Sequence, residues 1–198
     1  MKRLAIALIS LALLSGCATP PSSFSFAVAG DSLTAWDNQT FPHPDGDFST
    51  VTWTHWAISP DIELAGGYAR EDAMAAEIAE RIIPVEADVL VVMAGTNDVG
   101  VTPVGEVLGQ IELIVRRSEV ERVLISSLPP VEGSADYNAQ LKELASDMGW
   151  GFVDPWAELR RDDGEWLDGS TNDGVHPNPD SAKVVGAALV AAMRDLLT

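Results

Sequence analysis

Five short apolar runs recur along the chain, each broken off by small or polar turn residues. The stretches between them carry apolar residues at helical spacing. The runs are Phe24–Gly30, Ile62–Ala65, Val89–Ala94, Arg122–Leu128 and Gly151–Val153. Helices are expected at Glu71–Ile83, with Met74, Ile78 and Ile82 on one face, and at Val104–Arg117, with Val107, Leu108, Ile111, Ile114 and Val115. Two more are expected at Ala135–Met148, with Leu141, Leu144 and Met148, and at Ser181–Leu197. Strands that alternate with helices form a parallel sheet with right-handed crossovers, so the fold class expected is α/β, in one domain. In such a sheet ligands bind beyond the carboxyl ends of the strands. Chemistry is therefore expected in the turns that end the apolar runs.

Three of the polar stretches carry such chemistry. The first run stops at Gly30-Asp31-Ser32-Leu33, which places Ser32 like a nucleophile at the sheet edge. A serine needs a base to take its proton. Asp173 and His176, three apart with Gly174 between them, supply one: the carboxylate can hold one imidazole nitrogen while the other faces Ser32. Asn178 is placed to cap the next helix, with Pro179 at its first position. The third run leads into Gly95-Thr96-Asn97-Asp98, and an Asn there can donate N–H to an oxyanion without carrying charge. Taken singly, each stretch is also an ordinary turn or loop. Asp31 and Asp98 read as turn and loop-bonding residues.

In this order the three blocks resemble the SGNH (GDSL) hydrolase family of esterases and lipases. Gly30-Asp31-Ser32-Leu33 is similar to its nucleophile block, Gly95-Thr96-Asn97-Asp98 to the block whose Asn serves the oxyanion, and Asp173-Gly174-Val175-His176-Pro177 to the block with acid and base. The likeness spans about residues 25–197. It implies a three-layer α/β/α fold on a five-stranded, flavodoxin-like parallel sheet, and hydrolysis of esters or thioesters without metal or cofactor. The rival Gly-x-Ser-x-Gly signature is absent around Ser32. One block departs from the pattern. The family has a Gly after its second strand whose N–H is the third oxyanion donor. The best register puts Asp72 there, with Gly66 or Gly67 as the alternative if the loop is shifted.

The amino terminus reads as a targeting segment. Lys2 and Arg3 precede the apolar run Leu4–Leu14, which is too short to span a membrane as a helix. Leu14-Ser15-Gly16-Cys17 resembles a bacterial lipobox, so residues 1–16 are expected to be a signal peptide and Cys17 the lipidated residue. Residues 17–23, with Pro20 and Pro21, would form a tether to a hydrolase domain over 24–198. Cys17 is the only cysteine, which excludes an internal disulfide. The chain would then sit outside the cytoplasm, anchored in the cell envelope. With 12 Lys and Arg against 30 Asp and Glu, it is ill suited to bind nucleic acid.

Residues 36–60 read as a helix start and a long loop flanking the site. His43 and His55 are expected to be surface or packing residues. Trp36, Trp53 and Trp56 are either ordinary packing or an aromatic wall for a sugar or acyl group. The mechanism expected has Ser32 attack an ester carbonyl, His176 take its proton and Asp173 orient the ring. Ser32 N–H, the Asn97 amide and one loop N–H, that of Asp72, would meet the oxyanion. The substrates expected are short acyl esters, acetylated carbohydrate or a lysophospholipid. The opposing expectation is an envelope lipoprotein that keeps the fold as a binding or structural module with little turnover, and the departure at Asp72 is its support.

Overall fold

The structure is a computed structural model that describes residues 23–35 and 48–198. The expectations for Cys17, Trp36 and His43 lie outside the described residues. In chain order the elements are β1 (Phe24–Gly30), α1 (Trp53–Ala57), β2 (Ile62–Ala69), α2 (Ala75–Arg81) and β3 (Val89–Met93). Next come α3 (Val104–Ser118), β4 (Val123–Ser126), α4 (Ser134–Met148), β5 (Gly151–Val153) and α5 (Pro179–Leu196). The five strands form one sheet in the order β2-β1-β3-β4-β5, and every pairing is parallel. This is the flavodoxin-like order.

Side-chain alternation along the strands divides the core into two layers. Ala27, Ala29, Leu90, Val92, Val123 and Ile125 pack with Ile78 of α2, Ile111 and Ile114 of α3 and Leu141 of α4. Phe26, Val28, Val89, Val91, Met93 and Leu124 pack with Trp53 of α1 and Val185, Leu189 and Met193 of α5. β3 is buried at every residue, as a central parallel strand covered on both faces must be.

Three local expectations are corrected. β2 does not stop at Ala65 but runs on to Ala69. A register shift between Phe26 and Ala27 brings Gly66 opposite Ala27 and Gly67 opposite Val28. Gly67 stands at φ +121°, and a Cβ there would lie 2.7 Å from the Val28 amide nitrogen, so only glycine lets the strands meet. Gly66 and Gly67 are thus interior residues of β2 and do not stand at its carboxyl end. α2 begins at Ala75 rather than Glu71, because Asp72 adopts φ +59° and Met74 is extended. Asp98 marks the new start: its Oδ2 accepts from the Ala75 amide at 2.9 Å. The third concerns the stretch read as a helix start and a long loop, where the described helix is α1, late in it at Trp53–Ala57. It is docked by side chains, with Trp53 Nε1 donating to Thr34 Oγ1 at 3.0 Å and Thr54 Oγ1 to the Thr34 carbonyl at 2.8 Å.

Candidate active site

Ser32 lies on the turn directly after β1, and this turn is tightly built. The Asp31 carbonyl accepts from the amides of Thr34 (3.0 Å) and Ala35 (2.9 Å), and Asp31 Oδ1 accepts from Leu33 N–H at 3.0 Å. The buried Ser32 hydroxyl reaches His176 Nε2 at 2.8 Å. His176 Nδ1 in turn lies 2.7 Å from Asp173 Oδ2. An ionised carboxylate only accepts, so Nδ1 carries the proton and Nε2 is left to accept from Ser32.

The loop that carries His176 is fixed from three sides. Asp173 Oδ1 accepts from the amides of Val175 (2.9 Å) and His176 (2.8 Å). Thr171 Oγ1 donates to the His176 carbonyl at 2.7 Å and accepts from Gly174 N–H at 3.0 Å. Trp166 Nε1 donates to the Gly174 carbonyl at 2.8 Å. Past the loop, Asn178 caps α5, accepting from Ser181 N–H at 3.0 Å, with Pro179 as the first helical residue. Partial burial pushes the Asp173 carboxyl up. Hydrogen bonds from the His176 ring and from the His176 and Val175 amides outweigh that and hold it at about 2. Asp173 is therefore ionised at any pH where His176 is a neutral base.

Asn97 comes after β3 on a single 3-10 turn, Thr96–Asp98, entered through Gly95 at φ +115°. Its Nδ2 donates to the Ala73 carbonyl at 3.0 Å, which commits one of the two amide hydrogens. The same bond ties Asn97 to the segment that holds Asp72. Asp72 is exposed and takes the left-handed conformation that glycine favours. Arg70 does not neutralise it. The guanidinium is committed to Glu77 through Nε–Oε1 (2.6 Å) and Nη2–Oε2 (2.5 Å), and Tyr68 donates to the same carboxylate at 2.6 Å. Bonds from Arg70 and Tyr68 hold Glu77 at about 2.

The remaining expectations separate cleanly. Trp53 is fully buried against Phe26, with ring centroids 5.6 Å apart, so it is packing rather than a wall of the site. Trp56 donates to the Thr50 carbonyl at 2.8 Å, and exposed His55 lies 2.9 Å from the Phe48 carbonyl. Asp31 is buried completely. Desolvation pushes its carboxyl up to about 6 against the lowering pull of the Leu33 amide, Thr96 and His176.

The chain matches the model of the GDSL-like Lipase/Acylhydrolase family over residues 28–184. It belongs to that family. As a GDSL-like protein it is a hydrolase of the esterase and lipase class. Solved structures share the fold. One is an α/β hydrolase from the metagenome of Lake Arreo, Spain, with 16% identity, a TM-score of 0.69, and coverage of 89% of this chain and 97% of that one. Another is a GDSL-like lipase from Bacteroides thetaiotaomicron VPI-5482, with 16% identity, a TM-score of 0.64, and coverage of 87% and 89%. An acetyl esterase variant bearing an acetate ion aligns with 15% identity, a TM-score of 0.60, and coverage of 87% and 97%. No curated protein matches the chain.

Sequence reasoning misses the supports of this GDSL-like site, Thr171 and Trp166, which fix the His176 loop. Thr171 stands two residues before Asp173, where an Asx/ST-type turn is a readable signal. Trp166 has no local signal, because its partner Gly174 is eight residues away on the far side of a loop.

Proposed function

We propose that the protein hydrolyses carboxylic esters through an acyl-enzyme, with Ser32 as nucleophile, His176 as base and then acid, and Asp173 as the group that orients the ring. The continuous line Ser32–His176–Asp173, at 2.8 and 2.7 Å, carries this reading. In the first step the Ser32 oxygen bonds to the carbonyl carbon while its proton passes to His176 Nε2. That proton then goes to the departing alcohol. Water repeats the sequence on the acyl-enzyme and releases the acid. Ser32 N–H, the free Asn97 amide hydrogen and Asp72 N–H stabilise the oxyanion. The connected line favours turnover over the binding-module alternative. Purified residues 18–198 should hydrolyse p-nitrophenyl acetate, and loss of rate as the acyl chain lengthens would support a short acyl group.

Asp72→Gly tests the third donor. The carboxylate is exposed, and water screens an exposed charge. Glycine adopts the same conformation. The expected kcat is within about threefold of the parent, since only a solvated charge is removed. Asp72→Val, whose branched side chain resists φ +59°, should lower kcat. Equal rates in both variants would show that this segment does not serve the oxyanion.

The envelope anchor belongs to the same proposal. Phe24 opens β1 and Ser32 lies just past its other end, so a lipid on Cys17 would join the domain at the sheet edge opposite the site. Mass spectrometry of the mature amino terminus should show an acylated Cys17, and Cys17→Ser should move the protein out of the detergent phase. An unmodified start elsewhere would defeat the anchor.

A further inference from the structure

A second cleft, of about 330 Å³, opens at the carboxyl edge of the sheet, beyond β4 and β5. Ser127, the residue after β4, and Asp154, the residue after β5, line it with Arg160. Ser134, Asn138 and Lys142 of α4 form the facing wall, at the spacing that aligns one side of a helix. None of Ser32, Asn97 and His176 lines it.

The side-chain acceptors of this lining are already spent. Asp154 accepts from Arg160 on both oxygens, at 2.8 and 3.0 Å, from the Ser127 hydroxyl at 2.7 Å and from the Trp156 amide at 3.2 Å. Asn138 accepts from the Leu128 amide at 2.6 Å and donates to the Leu128 carbonyl at 3.0 Å. Two groups remain, and both can donate. Among the described residues the Lys142 ammonium has no hydrogen bond or ion pair. Neither has the Ser134 hydroxyl, although Ser134 is only 5% exposed and what it exposes lines the cleft. Ser134 is also the first residue of α4, whose opening amides have no carbonyl one turn back. Its own amide goes to the Val131 carbonyl at 3.0 Å, which leaves those of Ala135 and Asp136. Gly133 supplies no side-chain cap, and Asp136, the acid of the first turn, lines a neighbouring cleft instead. The lining carries two cations against one carboxylate. At the amino edge, by contrast, a cleft sets Glu86, Asp88, Glu119 and Glu121 against Arg122. A chain at −18 repels anions except where donors are placed for them.

We propose that this cleft binds a small oxyanion, a phosphate or carboxylate group, through the Ser134 hydroxyl, the Ala135 and Asp136 amides and Lys142. Helix side chains lean toward the amino end, which brings the Lys142 ammonium back toward Ser134. Two strand spacings, about 10 Å, separate the end of β4 from the end of β1, where Ser32 stands. An ester that carries its own anion can bridge that span, and a free ion can fill the cleft alone.

The melting temperature, followed as inorganic phosphate is added at constant ionic strength, tests the site without an ester. The rise should saturate, and chloride should give none. Ser134→Ala should melt like the parent without phosphate, since the hydroxyl holds nothing, and should bind phosphate about tenfold more weakly. Lys142→Gln should bind it roughly threefold more weakly, the scale of an exposed charge. Lys183→Gln, which removes a cation that stands over Trp56, should bind it as the parent does. A rise that never saturates, or one equal in Ser134→Ala and the parent, overturns the proposal. Kinetics separate the two sources of the anion. If the ester carries it, phosphate and Ser134→Ala should each raise KM for the acetyl ester of a hydroxyalkyl phosphate and leave p-nitrophenyl acetate unaffected. If a free ion fills the cleft, neither ester should respond. A protein that binds phosphate in this way but hydrolyses no ester keeps the site and loses the esterase reading.

Discussion

Ser32→Ala should lose nearly all ester hydrolysis, with kcat lower by about four to six powers of ten, the scale seen when a triad nucleophile is removed. The change deletes one oxygen whose hydrogen bond goes to His176, so the fold should be little disturbed. His176→Ala should cost a similar factor, and the double variant should be hardly worse, because a nucleophile without its base and a base without its nucleophile fail at the same step. The measurement is kcat on p-nitrophenyl acetate. Hydrolysis by Ser32→Ala at the parent rate would refute the acyl-enzyme. The residual rate in these variants should still exceed that of water, since Asn97 and the backbone donors remain.

Asn97→Ala should lower kcat by about a hundredfold or more, the usual cost of one oxyanion donor. The structure adds a second reason. Asn97 Nδ2 also holds the Ala73 carbonyl, so truncation releases the segment next to Asp72. If Asp72 N–H serves the oxyanion as proposed, one change weakens two donors. The loss should fall on kcat, because the oxyanion exists only on the way to and from the tetrahedral state. A change confined to KM would make Asn97 a residue that binds the ground-state substrate. Its stability cost should be modest, about 0.5–1.5 kcal/mol for one hydrogen bond.

Much of this arrangement is legible in the sequence because its signals are local. β3 reads as a buried strand from five consecutive apolar residues, and β1 ends where Gly30 gives way to Asp31. In a parallel sheet all the strand ends that carry motifs share one edge, so the motifs for Ser32 and Asn97 meet without any long-range information. The parts that differ from expectation depend on distant partners. The reach of β2 is set by a register shift against β1 that makes room for Gly67, and nothing within β2 announces that shift. The late start of α2 results from Asp98, on a different turn, capping Ala75. The five residues of α1 are too few to hold a helix by propensity, and they form because Trp53 and Thr54 bond to the nucleophile turn. Of the candidate site, residue types and spacing point to Ser32, Asn97, Asp173 and His176, and the structure joins Ser32, His176 and Asp173 in one hydrogen-bonded line. The complete burial of Asp31 is not readable from Gly-Asp-Ser, which describes an exposed turn equally well.

The two indoles beneath the His176 loop give the molecule an optical signal of its own. Trp156 and Trp166 meet edge to face with centroids 5.6 Å apart. Trp156 is locked into the interior by its bond to the Ser127 carbonyl at 2.9 Å, whereas Trp166 is bonded to Gly174, inside the loop. If the loop lifts, Trp166 must either give up that bond or follow Gly174 away from Trp156, while Trp156 stays in the interior. Any such lift would thus be written into the red shift of one tryptophan and into the near-ultraviolet dichroism of the pair.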